Sequence, residues 1–118
     1  MDALGFHYLI ELNDCDPLIL EDIDQVQAIL ERAINISGAT EIDHLFHKFS
    51  PQGVSGVILI SESHFSIHTW PEYAYAAIDF FTCNPRLLIN DAYKQIAEDF
   101  HAGRSSIIEI KRGIIEPR

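Results

Sequence analysis

The amino-acid sequence predicts an α+β fold, a two-layer sandwich in which a mainly antiparallel sheet carries two helices on one face. Three observations lead there. Period-two apolar alternation fills most of the chain, and two segments switch to helical spacing behind an Asp-Pro or Asn-Pro start. Between the middle strands the breaks are too short to hold a crossover helix.

The elements follow in order. Phe6, Tyr8, Ile10 and Leu12 alternate with His7, Leu9 and Glu11, which predicts a strand over residues 6–12. Asn13-Asp14-Cys15-Asp16-Pro17 interrupts it, and Asp16-Pro17 suits the cap and first position of a helix. Ile19, Ile23, Val26, Leu30, Ala33 and Ile34 then recur at helical spacing, with Glu21, Asp22, Asp24 and Glu31 mostly on the outer side, until Ser37-Gly38 stops the helix. Four strands are expected next, over residues 40–49, 54–61, 64–70 and 74–82. Asn84-Pro85 predicts the start of the second helix, whose buried stripe is Leu88, Ala92, Ile96 and Phe100. Ala102-Gly103 ends it, and a short strand over residues 106–111 completes the chain.

Length and composition bound the function. The 118 residues make a single domain, 1–118, large enough to hold a core without disulfide staples. Eighteen acids against eight bases give a net charge of −10, which disfavours nucleic acid and anionic membrane surfaces as partners. The charge is lopsided: residues 1–62 carry −9 and residues 63–118 carry −1. MDALGFHYLI lacks the basic start and long apolar core of an export signal, and no apolar stretch is long enough to span a bilayer. With only Cys15 and Cys83, read as reduced thiols, a cytoplasmic location is expected.

The strand faces turned away from the helices still carry Phe, Val, Leu and Ile. A lone protomer would expose them, so a homodimer joined through its sheets, an αββα arrangement, is the expected assembly.

Residues 53–72 are the richest in chemistry. Two apolar strands flank the polar junction Ser61-Glu62-Ser63-His64, and alternation puts His64, Ser66 and His68 on one face, with Ser55 within reach on the neighbouring strand. Taken alone, a Ser-Glu-Ser turn is usually only a turn, a strand histidine is usually structural, and Cys83 could be inert packing. His44 and His47 would point to opposite faces of a strand, and no clustered ligand is evident beside them, so no metal is expected. No phosphate loop or nucleophile elbow is present. Spacing alone leaves the function open.

A longer pattern narrows it. Gly53-Val54-Ser55-Gly56, Ile60-Ser61-Glu62-Ser63-His64-Phe65-Ser66-Ile67-His68-Thr69-Trp70-Pro71-Glu72-Tyr73 and Ala76-Ala77-Ile78-Asp79-Phe80-Phe81-Thr82-Cys83 resemble the prokaryotic S-adenosylmethionine decarboxylases. Leu4-Gly5-x-His7, Cys15-Asp16, Ser37-Gly38-Ala39-Thr40 and Phe46-His47-x-Phe49 extend the resemblance, which weakens after Asn84. It implies a proenzyme that cuts itself at Glu62–Ser63 into residues 1–62 (the β chain) and 63–118 (the α chain). By resemblance, Ser63 attacks the Glu62 carbonyl, His68 removes the Ser63 α-proton, Ser55 assists, and Ser63 becomes a covalent pyruvoyl group. The substrate amine then forms a Schiff base with that group, and Cys83 returns a proton to the substrate α-carbon. Phe49 is implied to stack adenine and Glu72 to bind the ribose hydroxyls, in sites shared between protomers. S-adenosylmethionine is the implied substrate, and the product is the aminopropyl donor for spermidine synthesis. Relatives on this scaffold decarboxylate arginine or ornithine instead, which is the alternative. Ala74 and Asn84 depart from the resemblance, since glycine is usual at both positions.

Overall fold

A computed structural model describes residues 2–116. Six strands form one sheet: β1 (Asp2–Asn13), β2 (Glu41–Lys48), β3 (Val54–Ile60), β4 (Ser63–Trp70), β5 (Tyr75–Thr82) and β6 (Arg104–Ile115). Their spatial order is β2-β3-β4-β5-β1-β6, and every neighbouring pair is antiparallel. Three helices, α1 (Pro17–Leu20), α2 (Ile23–Ser37) and α3 (Ile89–Asp99), cover one face, so the expected two-layer α+β sandwich is present.

Strand alternation sorts the two faces. Ile10 and Leu12 of β1, Ile58 and Ile60 of β3, Phe65 and Ile67 of β4, and Ile78 and Phe80 of β5 are buried beneath the helices. They meet Val26, Leu30, Ala33 and Ile34 from α2 and Ile89, Ala92 and Ile96 from α3. The rings of Phe65 and Phe80 pack at 4.3 Å across β4 and β5. Among the described residues no helix packs on the opposite face. Leu45, Val57, Leu59, Ile108 and Ile110 stand exposed there, as the alternation implies.

Three details differ from expectation. The first helix is broken into α1 and α2, because two aspartates act as caps rather than one. Asp16 accepts from the Leu18 N–H, while Asp22 accepts from the N–H groups of Asp24 and Gln25 and starts a new helix. A short polar side chain satisfies free N–H groups best at a helix start, so the second aspartate ends one helix and opens the next. Asn84-Pro85 does not open α3. Asn84 Oδ1 instead accepts from the Arg86 N–H at 2.9 Å, closing a side-chain turn, and the helix begins five residues after Asn84 at Ile89. Finally, β1 and β6 are twelve residues each and pair from Asn13–Arg104 to Asp2–Ile115. The charges of β6 mask its alternation, but they suit an edge strand that faces water.

Ala74 explains one departure from the family pattern. It closes the 3₁₀ turn Pro71–Tyr73 with φ 51°, a left-handed conformation in which glycine has no Cβ to clash. No helix among the described residues is long and apolar enough to cross a membrane. Replacing Ala74 by glycine is expected to raise stability by about 0.5–1 kcal/mol, measured by urea denaturation, because the left-handed strain disappears.

Candidate active site

The residues with chemical potential form two clusters at opposite ends of the β3–β4 hairpin. The first lies at its tip. Ile60 pairs with Ser63, leaving Ser61-Glu62 as a two-residue loop. Glu62 adopts φ 65°, the left-handed region, where its Cβ crowds the following carbonyl. Its carbonyl oxygen accepts from the Cys83 backbone N–H at 3.3 Å, where β5 ends beside the tip. Ser63 pairs with Thr82 and turns its side chain toward the helix layer. There Oγ is buried and has no hydrogen-bond partner among the described residues. Cys83 itself is an exposed free thiol.

The second cluster lies near the other end, on the open face. Ser55 and His68 are directly paired across β3 and β4, and Ser55 Oγ is 2.7 Å from His68 Nδ1. A groove of about 270 Å³ collects Phe49, Gln52, Ser55, His68, Trp70 and Glu72. His47 packs edge-on to Phe49 at 4.6 Å, and Trp70 lies against Tyr75 at 5.4 Å. The groove is thus aromatic on two sides and acidic at Glu72. Such a lining can hold a flat heteroaromatic ring and a nearby cation.

Within one chain the clusters do not meet. Ser63 and His68 are five residues apart on β4, about 17 Å of extended strand, and their side chains point to opposite faces. Of the residues singled out from sequence, the structure brings Ser55, His68, Phe49 and Glu72 together. Separately, it brings Glu62, Ser63 and Cys83 together. Sequence reasoning missed the Cys83 N–H on the Glu62 carbonyl, because a backbone group leaves no residue signature. It also missed Trp70 as a groove wall, although the alternation that turns His68 outward turns Trp70 outward as well.

Between the clusters the open face is not wholly apolar. His7 Nε2 lies 3.2 Å from Asp79 Oδ1, and Ser66 Oγ donates to Asp79 Oδ2 at 3.5 Å. His64 stacks on Phe81 with centroids 5.7 Å apart.

This arrangement defines a class first: an antiparallel two-layer α+β protein with a serine at a strained hairpin tip and a serine–histidine pair on the open sheet face. The sequence profile of the S-adenosylmethionine decarboxylase family matches residues 6–113. The chain is 50% identical over 118 residues to the S-adenosylmethionine decarboxylase proenzyme of Thermodesulfovibrio yellowstonii, covering all of this chain and 87% of that protein. It is 51% identical over 117 residues to the proenzyme of the same name from Moorella thermoacetica, covering 99% and 94%. The crystal structure of the adenosylmethionine decarboxylase from Aquifex aeolicus superposes with a TM-score of 0.89 at 31% identity, covering 100% of this chain and 98% of that one. The chain belongs to the S-adenosylmethionine decarboxylase family.

A third group sits away from both clusters. His44 and His47 are on opposite faces of β2, as alternation requires, but His44 is not without neighbours. Its Nδ1 is 2.9 Å from Glu41 and 3.9 Å from Glu31, and Gln27 Nε2 is 3.0 Å from its Nε2. The expectation that no further ligand type lies near His44 is therefore corrected, since folding α2 onto β2 supplies Glu31. Burial, then the facing Glu41 carboxylate, raises the Glu31 carboxyl above the ordinary range. The hydrogen bond that His44 donates to Glu41, with the Glu41, Glu31 and Asp43 charges, raises the pKa of the His44 imidazole. Both groups hold their protons more firmly in the folded chain, so their contribution is full at low pH and is lost as pH rises. Hydrogen exchange in β2, corrected for intrinsic rates, is expected to speed up from about pH 6 to about pH 8. Glu41→Gln should flatten that dependence.

Proposed function

We propose that this chain is a self-processing, pyruvoyl-dependent S-adenosylmethionine decarboxylase of the cytoplasm, supplying the aminopropyl donor for spermidine synthesis. The observation that carries the reading is the Glu62 carbonyl, which already receives the Cys83 N–H at 3.3 Å. In the first step Ser63 Oγ adds to that carbonyl carbon, the C–N bond breaks, and the nitrogen takes up the hydroxyl proton. Charge grows on the carbonyl oxygen as the tetrahedral state forms, and the Cys83 N–H is aimed at that atom. The amide has become an ester. His68 then takes the Ser63 α-proton, and the ester C–O bond breaks to leave Glu62 as a free carboxylate. Water converts the new terminus to a pyruvoyl group with loss of ammonia, leaving chains 1–62 and 63–118.

A buried hydroxyl without a partner suits a position that is to be chemically transformed rather than one that holds the fold. When present, the pyruvoyl ketone supplies the sink for the electron pair left as carbon dioxide departs. Cys83, an exposed thiol beside it at the end of β5, is the group that gives a proton to the substrate α-carbon. Phe49 stacks the adenine, Glu72 accepts from the ribose hydroxyls, and Ser55 fixes the His68 ring through Nδ1.

One chain cannot complete this site, because His68 and Ser63 are about 17 Å apart along one strand. We propose a homodimer with the open sheet faces together. A two-fold axis then sets the Ser63 end of each hairpin against the His68 end of the other, giving two sites. Exposed Leu45, Val57, Leu59, Ile108 and Ile110 supply apolar area for the contact. The arginine and ornithine alternatives draw no support from the relatives named above.

Denaturing mass spectrometry is expected to show two fragments, 1–62 and a pyruvoyl-led 63–118, and labelled carbon dioxide to come from S-adenosylmethionine alone. A single intact mass, or release only from arginine or ornithine, would overturn the reading. Ser63→Ala should abolish both cleavage and decarboxylation. Cys83→Ala keeps its N–H, so cleavage should persist while decarboxylation falls ~10²-fold or more.

A further inference from the structure

Thr69 stands between His68 and Trp70 on β4, yet it points the other way, into the layer between sheet and helices, and is 6% exposed. Its inward neighbours on the strand, Phe65 and Ile67, are apolar. Thr69 Oγ1 donates to the Leu20 carbonyl at 2.9 Å and accepts from the Val54 N–H at 2.9 Å. Leu20 is the last residue of α1, where the helix breaks and its carbonyl has no following turn to accept from. Val54 lies one residue beyond the β3–β4 ladder, which ends at Ser55–His68. The hydroxyl therefore bridges two backbone groups that neither helix nor sheet satisfies.

Glu21, the next residue after α1, makes the second tie. Its Oε2 accepts from the Gly53 N–H at 3.3 Å, and Lys48 Nζ is 3.3 Å from its Oε1. The Gly53 carbonyl in turn accepts from the Phe49 N–H at 2.8 Å. Phe49 is thus two hydrogen bonds from Glu21, by way of Gly53, while His68 adjoins Thr69 in the chain and Ser55 adjoins the Val54 that Thr69 holds.

We propose that Thr69 and Glu21 are positioning residues for the adenosyl-binding half of the site. They tie the 49–53 loop, the start of β3 and the outer end of β4 to the break between α1 and α2. This rests on the proposed recognition of the adenosyl group by Phe49 and Glu72. A hydroxyl is required at 69 because one atom must both donate and accept. Valine fills the space and does neither.

The test uses the full, processed protein with Thr69→Val, Thr69→Ser and Glu21→Ala, each first checked for a cooperative melt. Thr69→Val should raise KM for S-adenosylmethionine about tenfold with kcat within about twofold, and Thr69→Ser should restore the parental KM. Nitrogen-15 NMR of the His68 ring, which reports its bond to Ser55, should shift in the valine variant and recover with serine. A folded Thr69→Val protein with parental KM and an unmoved His68 signal would overturn the proposal, as would a loss confined to kcat. Should Thr69→Val fail to fold, Glu21→Ala decides by the same measurements: a raised KM supports the proposal, and an unchanged one overturns it. If the parent releases no carbon dioxide from S-adenosylmethionine, the proposed function falls. The His68 signal then decides this inference alone, with the same two outcomes.

Discussion

Ser63 and His68 share one strand, and an extended strand cannot fold back to bring them together. Five residues set them about 17 Å apart, and odd spacing turns them to opposite faces. Every functional statement about this chain has to respect that limit. The tip of the hairpin holds the Glu62–Ser63 bond and the Cys83 thiol beside it. The other end owns the imidazole, its serine partner and the aromatic groove. The proposed dimer is the simplest geometry that joins them, because a two-fold axis turns the two ends of one antiparallel hairpin into complementary halves.

The tip is also where local and global preferences disagree. Glu62 in the left-handed region costs about 1–2 kcal/mol. The buried, unpartnered Ser63 hydroxyl costs about 1–3 kcal/mol more. A folding surface without another purpose would place asparagine or glycine at 62 and a small apolar residue at 63. In the proposed chemistry these costs raise the ground state of the bond that breaks, while the Cys83 N–H lowers the charged state that follows. Cleavage ends the requirement that Glu62 and Ser63 be joined through that conformation. The net −9 of residues 1–62 then belongs to one fragment and −1 to the other, but the strands they share hold them together far more firmly than charge does.

The sheet and its two faces were legible because period-two alternation directly encodes which side chain meets the helices. Ser55 beside His68 was legible for the same reason, once the two strands were read as a hairpin. What could not be read were features that depend on backbone geometry or on which of two local preferences wins. Asp16 and Asp22 are both good caps, and only the packed structure shows that each starts its own helix. Asn84-Pro85 suits a helix start and a turn equally, and Asn84 spends its side chain on Arg86. The left-handed Ala74 was visible only as an unexplained departure from glycine. The resemblance implied sites shared between protomers, but residue types alone do not say which copy supplies which residue in the proposed dimer.

The division of the site between copies is tested most directly by mixing two inactive chains. Ser63→Ala and His68→Ala chains are each expected to be inactive alone. Co-expressed, they should form mixed dimers in which one site draws its serine and its histidine from intact partners. Random pairing then restores roughly a quarter of the parental sites, and only the His68→Ala chain should be cut. Mixed dimers with no cleavage and no decarboxylation, or a His68→Ala chain that matures fully by itself, would contradict the account.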